Sequence, residues 1–188
     1  MSTYDIIRAR RSIRKFKQDK IDRKLLEKLI EAARLAPSAS NLQPLKYVIV
    51  DEREKCGQFF KYLRWAAYIS PDGNPGKGEE PVAYIVVLAD LNVRKSGYEL
   101  DAGAAVQNIC LTATEEGIGS CWIASVDRNA VKEFLNIPDR YDIISIIALG
   151  YPDENPVIVD ENGSIKYYKD EKGVLHVPKR KLEDIIIS

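Results

Sequence analysis

The amino-acid sequence predicts a single α+β domain, a mixed sheet flanked by helices, over residues 1–188. Three observations carry that prediction. Two long segments have helical periodicity, several others are nearly continuous apolar runs of strand length, and no repeat, low-complexity linker or shift of composition divides the chain. A hydrophobic share of 45% is enough for a sizeable core.

The first helix is expected over residues 22–35. Leu25, Leu26, Leu29, Ile30 and Ala33 recur at helical spacing, while Lys24, Glu27, Lys28, Glu31 and Arg34 take the other faces. Asp22 can cap its start, and Pro37 enforces its end because the residue before a proline avoids helical angles. A polar loop rich in turn residues follows from Pro37 to Pro44, and Lys46–Val50 reads as a strand. The stretch from Cys56 to Glu80 opens with an aromatic, helical part (Phe59, Phe60, Tyr62, Trp65, Tyr68). It closes in Ser70–Gly78, where three Gly and two Pro in nine residues forbid regular structure. Aromatics beside such a loop are either a lid over a site or half-buried packing residues.

Val82–Ala89 is a strand covered on both faces, to judge from its unbroken apolar character. Asp101–Glu116 is a helix rich in small residues (Ala102, Gly103, Ala104, Ala105, Ala113), which let neighbours approach closely and put it at the centre. Gly117 and Gly119 end it. Ser120–Ser125 and Ile143–Leu149 supply two more buried strands. Towards the carboxyl end, Val157–Asp160 and Ser164–Tyr168 flank Glu161-Asn162-Gly163, a hairpin signal, and a turn at Asp170–Gly173 extends that ribbon through Val174–Val177.

Lys plus Arg and Asp plus Glu number 28 each, so the net charge is zero, which argues against a general nucleic-acid or membrane-surface binder. No apolar run approaches the roughly 18 residues of a membrane span. The amino terminus lacks the basic-then-apolar pattern of a signal peptide, so the expected location is the cytoplasm. Cys56, Cys110 and Cys121 are odd in number and widely spaced, as expected of buried free thiols rather than disulfides or metal ligands.

The sole histidine, His176, lies in the expected ribbon, and neither a Gly-x-Ser-x-Gly elbow nor a phosphate-binding glycine motif occurs. Triad hydrolysis, zinc chemistry and P-loop phosphoryl transfer are therefore disfavoured, and an enzyme built from this chain would draw its reactivity from a bound cofactor. Positive charge concentrates in Arg8–Lys17 and in Pro178–Lys181. Arg10, Arg11, Ser12 and Arg14 offer planar forks and a hydroxyl to a phosphate monoester, although an Arg/Lys run is usually a solvated face. Ser38, Ser40, Asn41 and Gln43, set between prolines, could meet a flat ligand with carbonyls and ring nitrogens. They are equally what a tight helix-to-strand connection needs.

Several segments together resemble the FMN-dependent nitroreductases. Residues Arg10 to Phe16, Glu31 to Pro44 and the strand after them look like that family's opening. Asp101 to Asn108 and Glu116 to Ile123 look like its central helix and following strand, and Ala148 to Pro152 and Pro178 to Lys181 like its closing motifs. The resemblance spans nearly the whole chain, in order. It implies an α+β sandwich forming an intertwined homodimer with FMN at the interface, reduced by NADH or NADPH and reoxidised in ping-pong fashion by a small-molecule acceptor such as a nitroaromatic or quinone. By match, Arg10, Arg11, Ser12 and Arg14 hold the FMN phosphate and ribityl chain, with Lys179 and Lys181 as further phosphate ligands. Pro37, Ser38, Ala39, Asn41 and Gln43 lie against the flavin from the partner chain, and backbone N–H groups of Ile123, Ala124 and Ser125 reach flavin N5 and O4. No side-chain catalytic residue and no metal is expected. The same fold would also serve a reductive dehalogenase, a flavin-cleaving enzyme or a non-catalytic flavin binder. The compact Cys56–Glu80 stretch and the long ribbon after Pro152 depart from the family's pattern.

Overall fold

Four strands and two long helices organise the chain, which a computed structural model describes over residues 1–187. Strands β1 (Leu45–Val50), β2 (Ala83–Asp90), β3 (Gly119–Ile123) and β4 (Tyr141–Gly150) form one antiparallel sheet in the order β1-β2-β4-β3. All eight residues of β2 are buried, and they alternate between two cores. Ile85 and Val87 join Leu26 and Leu29 of α2 (Arg23–Arg34) and Ala105, Val106 and Ile109 of α4 (Glu99–Glu115) on one face. Tyr84, Val86 and Leu88 meet Cys56 and Phe59 of α3 (Arg53–Phe59) and Val131 of α5 (Arg128–Leu135) on the other. A strand covered on both faces cannot alternate polar with apolar residues, which is why this one reads as a continuous hydrophobic run.

The α+β class is as expected, and mixed pairing resides in a second, smaller sheet. There β5 (Val157–Asp160) lies parallel to β7 (Leu175–Lys179), and β6 (Tyr168–Lys169) runs antiparallel to β7. The expected hairpin around Glu161-Asn162-Gly163 therefore does not form. Gly163 turns the chain at φ 75°, but Ser164, Ile165 and Lys166 after it stay exposed and β5 takes β7 as its partner instead. The turn at Asp170–Gly173 does form a hairpin, with Gly173 donating to the Asp170 carbonyl at 2.9 Å.

At the amino end, α1 (Thr3–Ala9) opens with a reciprocal Ser2–Asp5 capping box. Helix α4 stops at Gly117, whose φ of 71° reverses the chain into β3.

Candidate functional site

Residues 12–17 run as a strap along β3 and the segment after β4. Ser12 bridges Ser120, Ile13 N–H donates to the Ser120 carbonyl at 2.9 Å, and Lys17 N–H donates to the Tyr151 carbonyl at 2.8 Å. Two glycines make room for it. Gly119 and Gly150 face each other in the β3–β4 ladder, and a Cβ on them would stand 3.0 Å from Ile13 and 2.7 Å from Phe16. The absence of side chains at this pair lets the strap lie flat, and the strap fixes the basic residues.

Arg10 caps the end of α1. Arg11 is 8% exposed and turns its guanidinium back to the Arg8 carbonyl; burial, reinforced by the neighbouring Arg10 charge, lowers its pKa. Arg14 donates its backbone N–H to Glu154 Oε1 at 2.5 Å and lays its guanidinium on the Tyr167 ring, 5.2 Å from the centroid. Its Nε is buried with no hydrogen-bond partner among the described residues.

Arg14 also lines a cavity of about 160 Å³ together with Cys121, Ile123, Ala124 and Ser125. The carbonyls of Ala124 and Ser125 accept from Arg128 Nη2 at 3.2 Å and Arg64 N–H at 3.0 Å, whereas neither residue's own N–H meets an acceptor among the described residues. Burial pushes the Cys121 thiol up to about 11 despite the nearby Arg14 charge, so that wall is neutral. The remaining wall comes from the aromatic stretch whose sequence left a lid and half-buried packing both open. Leu63 bridges Val126 and Asp127 N–H donates to the Tyr62 carbonyl, which brings Arg64 and Trp65 onto the cavity. Trp65 stacks on Phe60, and its Nε1 is another buried donor without a partner among the described residues. Their signal in the sequence is an Arg-Trp pair inside the aromatic stretch.

Pro37, Ser38 and Gln43 line a different cavity of about 420 Å³, between α2, β1 and α4, whose other walls include Ile30, Tyr47 and Ala105. Ala39 and Asn41 belong to a 3-10 turn in the same loop. Asp101, unforeseen as a site residue and only 5% exposed, anchors this loop: it accepts from Ser38 Oγ at 2.7 Å and Ala39 N–H at 3.1 Å. Ser38 Oγ in turn accepts from Gln43 N–H at 3.0 Å. Ser40, Asn41 and Gln43 all adopt left-handed backbone angles, φ 52°, 53° and 51°, a concentration of strain that persists only where the surroundings enforce it.

The two cavities share no lining residue: of the expected binding set, Arg14, Ile123, Ala124 and Ser125 line the smaller and Pro37, Ser38 and Gln43 the larger, while Arg10, Arg11, Ser12, Ala39, Asn41, Lys179 and Lys181 line neither. Lys179 ends β7 and Lys181 lies just beyond, both exposed and lining neither cavity. His176 stacks on Tyr168, with its Nε2 3.0 Å from Asp170 Oδ2, inside the small sheet. All three cysteines are free and buried. Among the described residues no helix is long and apolar enough to cross a membrane.

The sequence profile of the nitroreductase family matches residues 7–85 and 83–151. The chain belongs to the nitroreductase family. Within that family it is similar to an Archaeoglobus fulgidus protein provisionally named NADH dehydrogenase/NAD(P)H nitroreductase, with 35% identity over 154 residues covering 78% of this chain and 83% of the other. Among solved structures, an FMN-dependent nitroreductase from Clostridium difficile shares 29% identity at a TM-score of 0.64, covering 89% of this nitroreductase-family chain and 92% of its own. A Parabacteroides distasonis structure, provisionally named like the first relative, reaches a TM-score of 0.72 at 27% identity, covering 87% and 94%.

Proposed function

We propose that this member of the nitroreductase family is an NAD(P)H-dependent FMN oxidoreductase, a single FMN-binding domain over residues 1–188 acting as an intertwined homodimer in the cytoplasm, with no nucleic-acid or membrane partner. The observation that carries the reading is that Arg14, Ile123, Ala124 and Ser125 line one cavity and Pro37, Ser38 and Gln43 a separate one, as expected if each FMN is held by residues of two chains. The name of the Clostridium difficile relative supports FMN, and that of the Archaeoglobus fulgidus relative supports NAD(P)H.

The chemistry of the smaller cavity fits FMN. Its donors are unspent: Arg14 Nε, Trp65 Nε1 and the N–H groups of Ala124 and Ser125 have no partner among the described residues, while an isoalloxazine and a ribityl phosphate present carbonyls, ring nitrogens and anionic oxygens. Arg10, Arg11, Ser12 and Arg14, with Lys179 and Lys181, neutralise the phosphate by charge-assisted hydrogen bonds. Ala124 and Ser125, with Ile123 before them, set backbone dipoles against the flavin edge. Pro37, Ser38, Ala39, Asn41 and Gln43 of a second copy close the site and exclude water. When bound, FMN supplies hydride transfer, at N5, from NADH or NADPH to a nitroaromatic, quinone or similar acceptor through one pocket, so the protein contributes orientation and electrostatics rather than a side-chain nucleophile.

The test is the visible spectrum of the purified protein before and after NADH or NADPH. Flavin bands that bleach, and return when an acceptor is added, support the reading; a colourless protein that takes up no FMN sinks it. Arg10→Ala and Ser12→Ala should each weaken FMN far more than riboflavin, which lacks the phosphate, and equal losses would remove these residues from the phosphate grip.

A further inference from the structure

The family match ends at residue 151, yet the ribbon beyond it packs against one of the proposed cofactor residues. It touches Arg14 twice. Glu154 Oε1 takes the Arg14 backbone N–H at 2.5 Å, and the Tyr167 ring lies under the guanidinium. The ribbon also engages the aromatic stretch and the glycine- and proline-rich loop after it: Tyr167 and Tyr68 stand 5.0 Å apart at 52°, and Lys169 Nζ donates to the Asp72 carbonyl at 2.5 Å.

We propose that Tyr167 is a positioning residue for the cofactor site, its ring face holding the Arg14 guanidinium in place. The inference rests on the reading that Arg14 serves FMN. Two features separate it from ordinary packing. Among the described residues no carboxylate pairs with the Arg14 guanidinium, because Glu154 is committed to the backbone N–H instead. A carboxylate partner would neutralise the charge that an anionic ligand needs, whereas an aromatic face orients the cation and leaves its charge and donors available. The second feature is the half-buried setting of Tyr167, which packs against the core below the sheet and is braced by Tyr68, so the ring is itself fixed. The ribbon thereby supplies the rigid backing for a residue on the strap.

The experiment is a double-mutant cycle on FMN affinity, measured by flavin fluorescence on the full chain, with Tyr167→Phe, Tyr167→Leu and Arg14→Gln. Tyr167→Leu should weaken FMN roughly tenfold, the scale of a cation–π contact of this kind. Tyr167→Phe, which keeps the ring, should stay within about twofold of wild type. In the Arg14→Gln background Tyr167→Leu should have no further effect, because the residue it positions is gone. Additive losses, or equal losses for Phe and Leu, would overturn the inference while leaving the cofactor reading standing. A wild-type protein that binds no FMN would overturn both, and an Arg14→Gln variant with unchanged affinity would overturn the inference and remove Arg14 from the phosphate grip. Melting temperatures of the variants, expected to match wild type closely, separate lost positioning from lost folding.

Discussion

Gly150→Ala adds one carbon where the strap crosses the sheet. That carbon would stand 2.7 Å from Phe16 Cδ1, 2.8 Å from its Cβ and 2.9 Å from its Cγ. Carbon contacts are normally about 3.5–4.0 Å, so three overlaps of close to an ångström must be relieved at once. Phe16 has no room to retreat. It is fully buried, its N–H donates to the Glu79 carbonyl at 3.0 Å, and it bridges Pro152. Overpacking of this kind costs about 2 kcal/mol, and for a domain of this size that lowers the melting temperature by about 4–8 °C. Because Arg14 sits two residues before Phe16, displacement of the strap should also weaken FMN. The assay is thermal melting by circular dichroism alongside FMN titration, with Gly57→Ala as control. Gly57 is exposed on α3 with nothing within 4 Å of an added Cβ, so alanine there should raise stability by about 0.5–1 kcal/mol. Equal melting temperatures for Gly150→Ala and wild type would refute the account of the strap.

Three further predictions follow from the same contacts. Asp101→Ala should cost about 2 kcal/mol in urea unfolding, by stranding Ser38 Oγ and Ala39 N–H, and should speed amide exchange at Ala39 and Gln43; unchanged exchange would show that Asp101 does not hold the loop. The Lys15–Glu79 pair should make stability pH-dependent at both ends. Hydrogen bonding to Lys15 lowers the Glu79 carboxyl below its ordinary 4.5, so that contribution is present above 4.5 and lost as pH falls through the lower folded value; hydrogen bonding to Glu79 raises Lys15 above 10.5, so its contribution is complete below 10.5 and lost as pH rises through the higher one. The stability difference between wild type and Glu79→Gln should accordingly be largest between those limits, and a difference flat with pH would contradict the pairing. Burial pushes Cys56 up to about 12 and Cys121 up to about 11, so a disulfide reagent at pH 8 should label neither in the native protein and both after denaturation. Fast native labelling would mean that these thiols are not sealed.

The long elements could be read from sequence because their signals are long: the helical spacing of Leu26, Leu29 and Ala33, the continuous apolar run of β2 and the mostly apolar run of β4, broken within Ile143–Leu149 only by Ser145. Helix α5 was missed although its marks were there. Asp127 caps it, Val131 is its buried anchor, and Asn136 ends it in a left-handed conformation, but eight residues give periodicity too little length to stand out. The Asn162-Gly163 signal misled because local turn chemistry is weak beside tertiary packing, here the docking of Tyr167 on Tyr68 and Arg14. At the site, Arg14, Ser38 and Ser125 were marked by motif resemblance. Arg64 carried no mark, Trp65 only that of a lid or packing aromatic, and Asp101 only that of the central helix, since they reach their cavities through pairings between distant segments that no local pattern encodes. That Pro37, Ser38 and Gln43 face one cavity and Arg14, Ile123, Ala124 and Ser125 another is likewise a property of three-dimensional packing alone.

The three left-handed residues of the loop after α2 locate a trade between stability and use. Glycine would accept φ near 50° without steric cost, so an engineer seeking only a higher melting point would write glycine at positions 40, 41 and 43. Each such gain would delete a hydroxyl or an amide from the proposed flavin-facing loop, and the Gln43 side chain already binds Asn41 through both its carbonyl and its Oδ1. Thermostabilised variants of this protein should therefore be selected with the cofactor bound: a screen on the bare polypeptide would favour discarding the side chains that this loop strains to present.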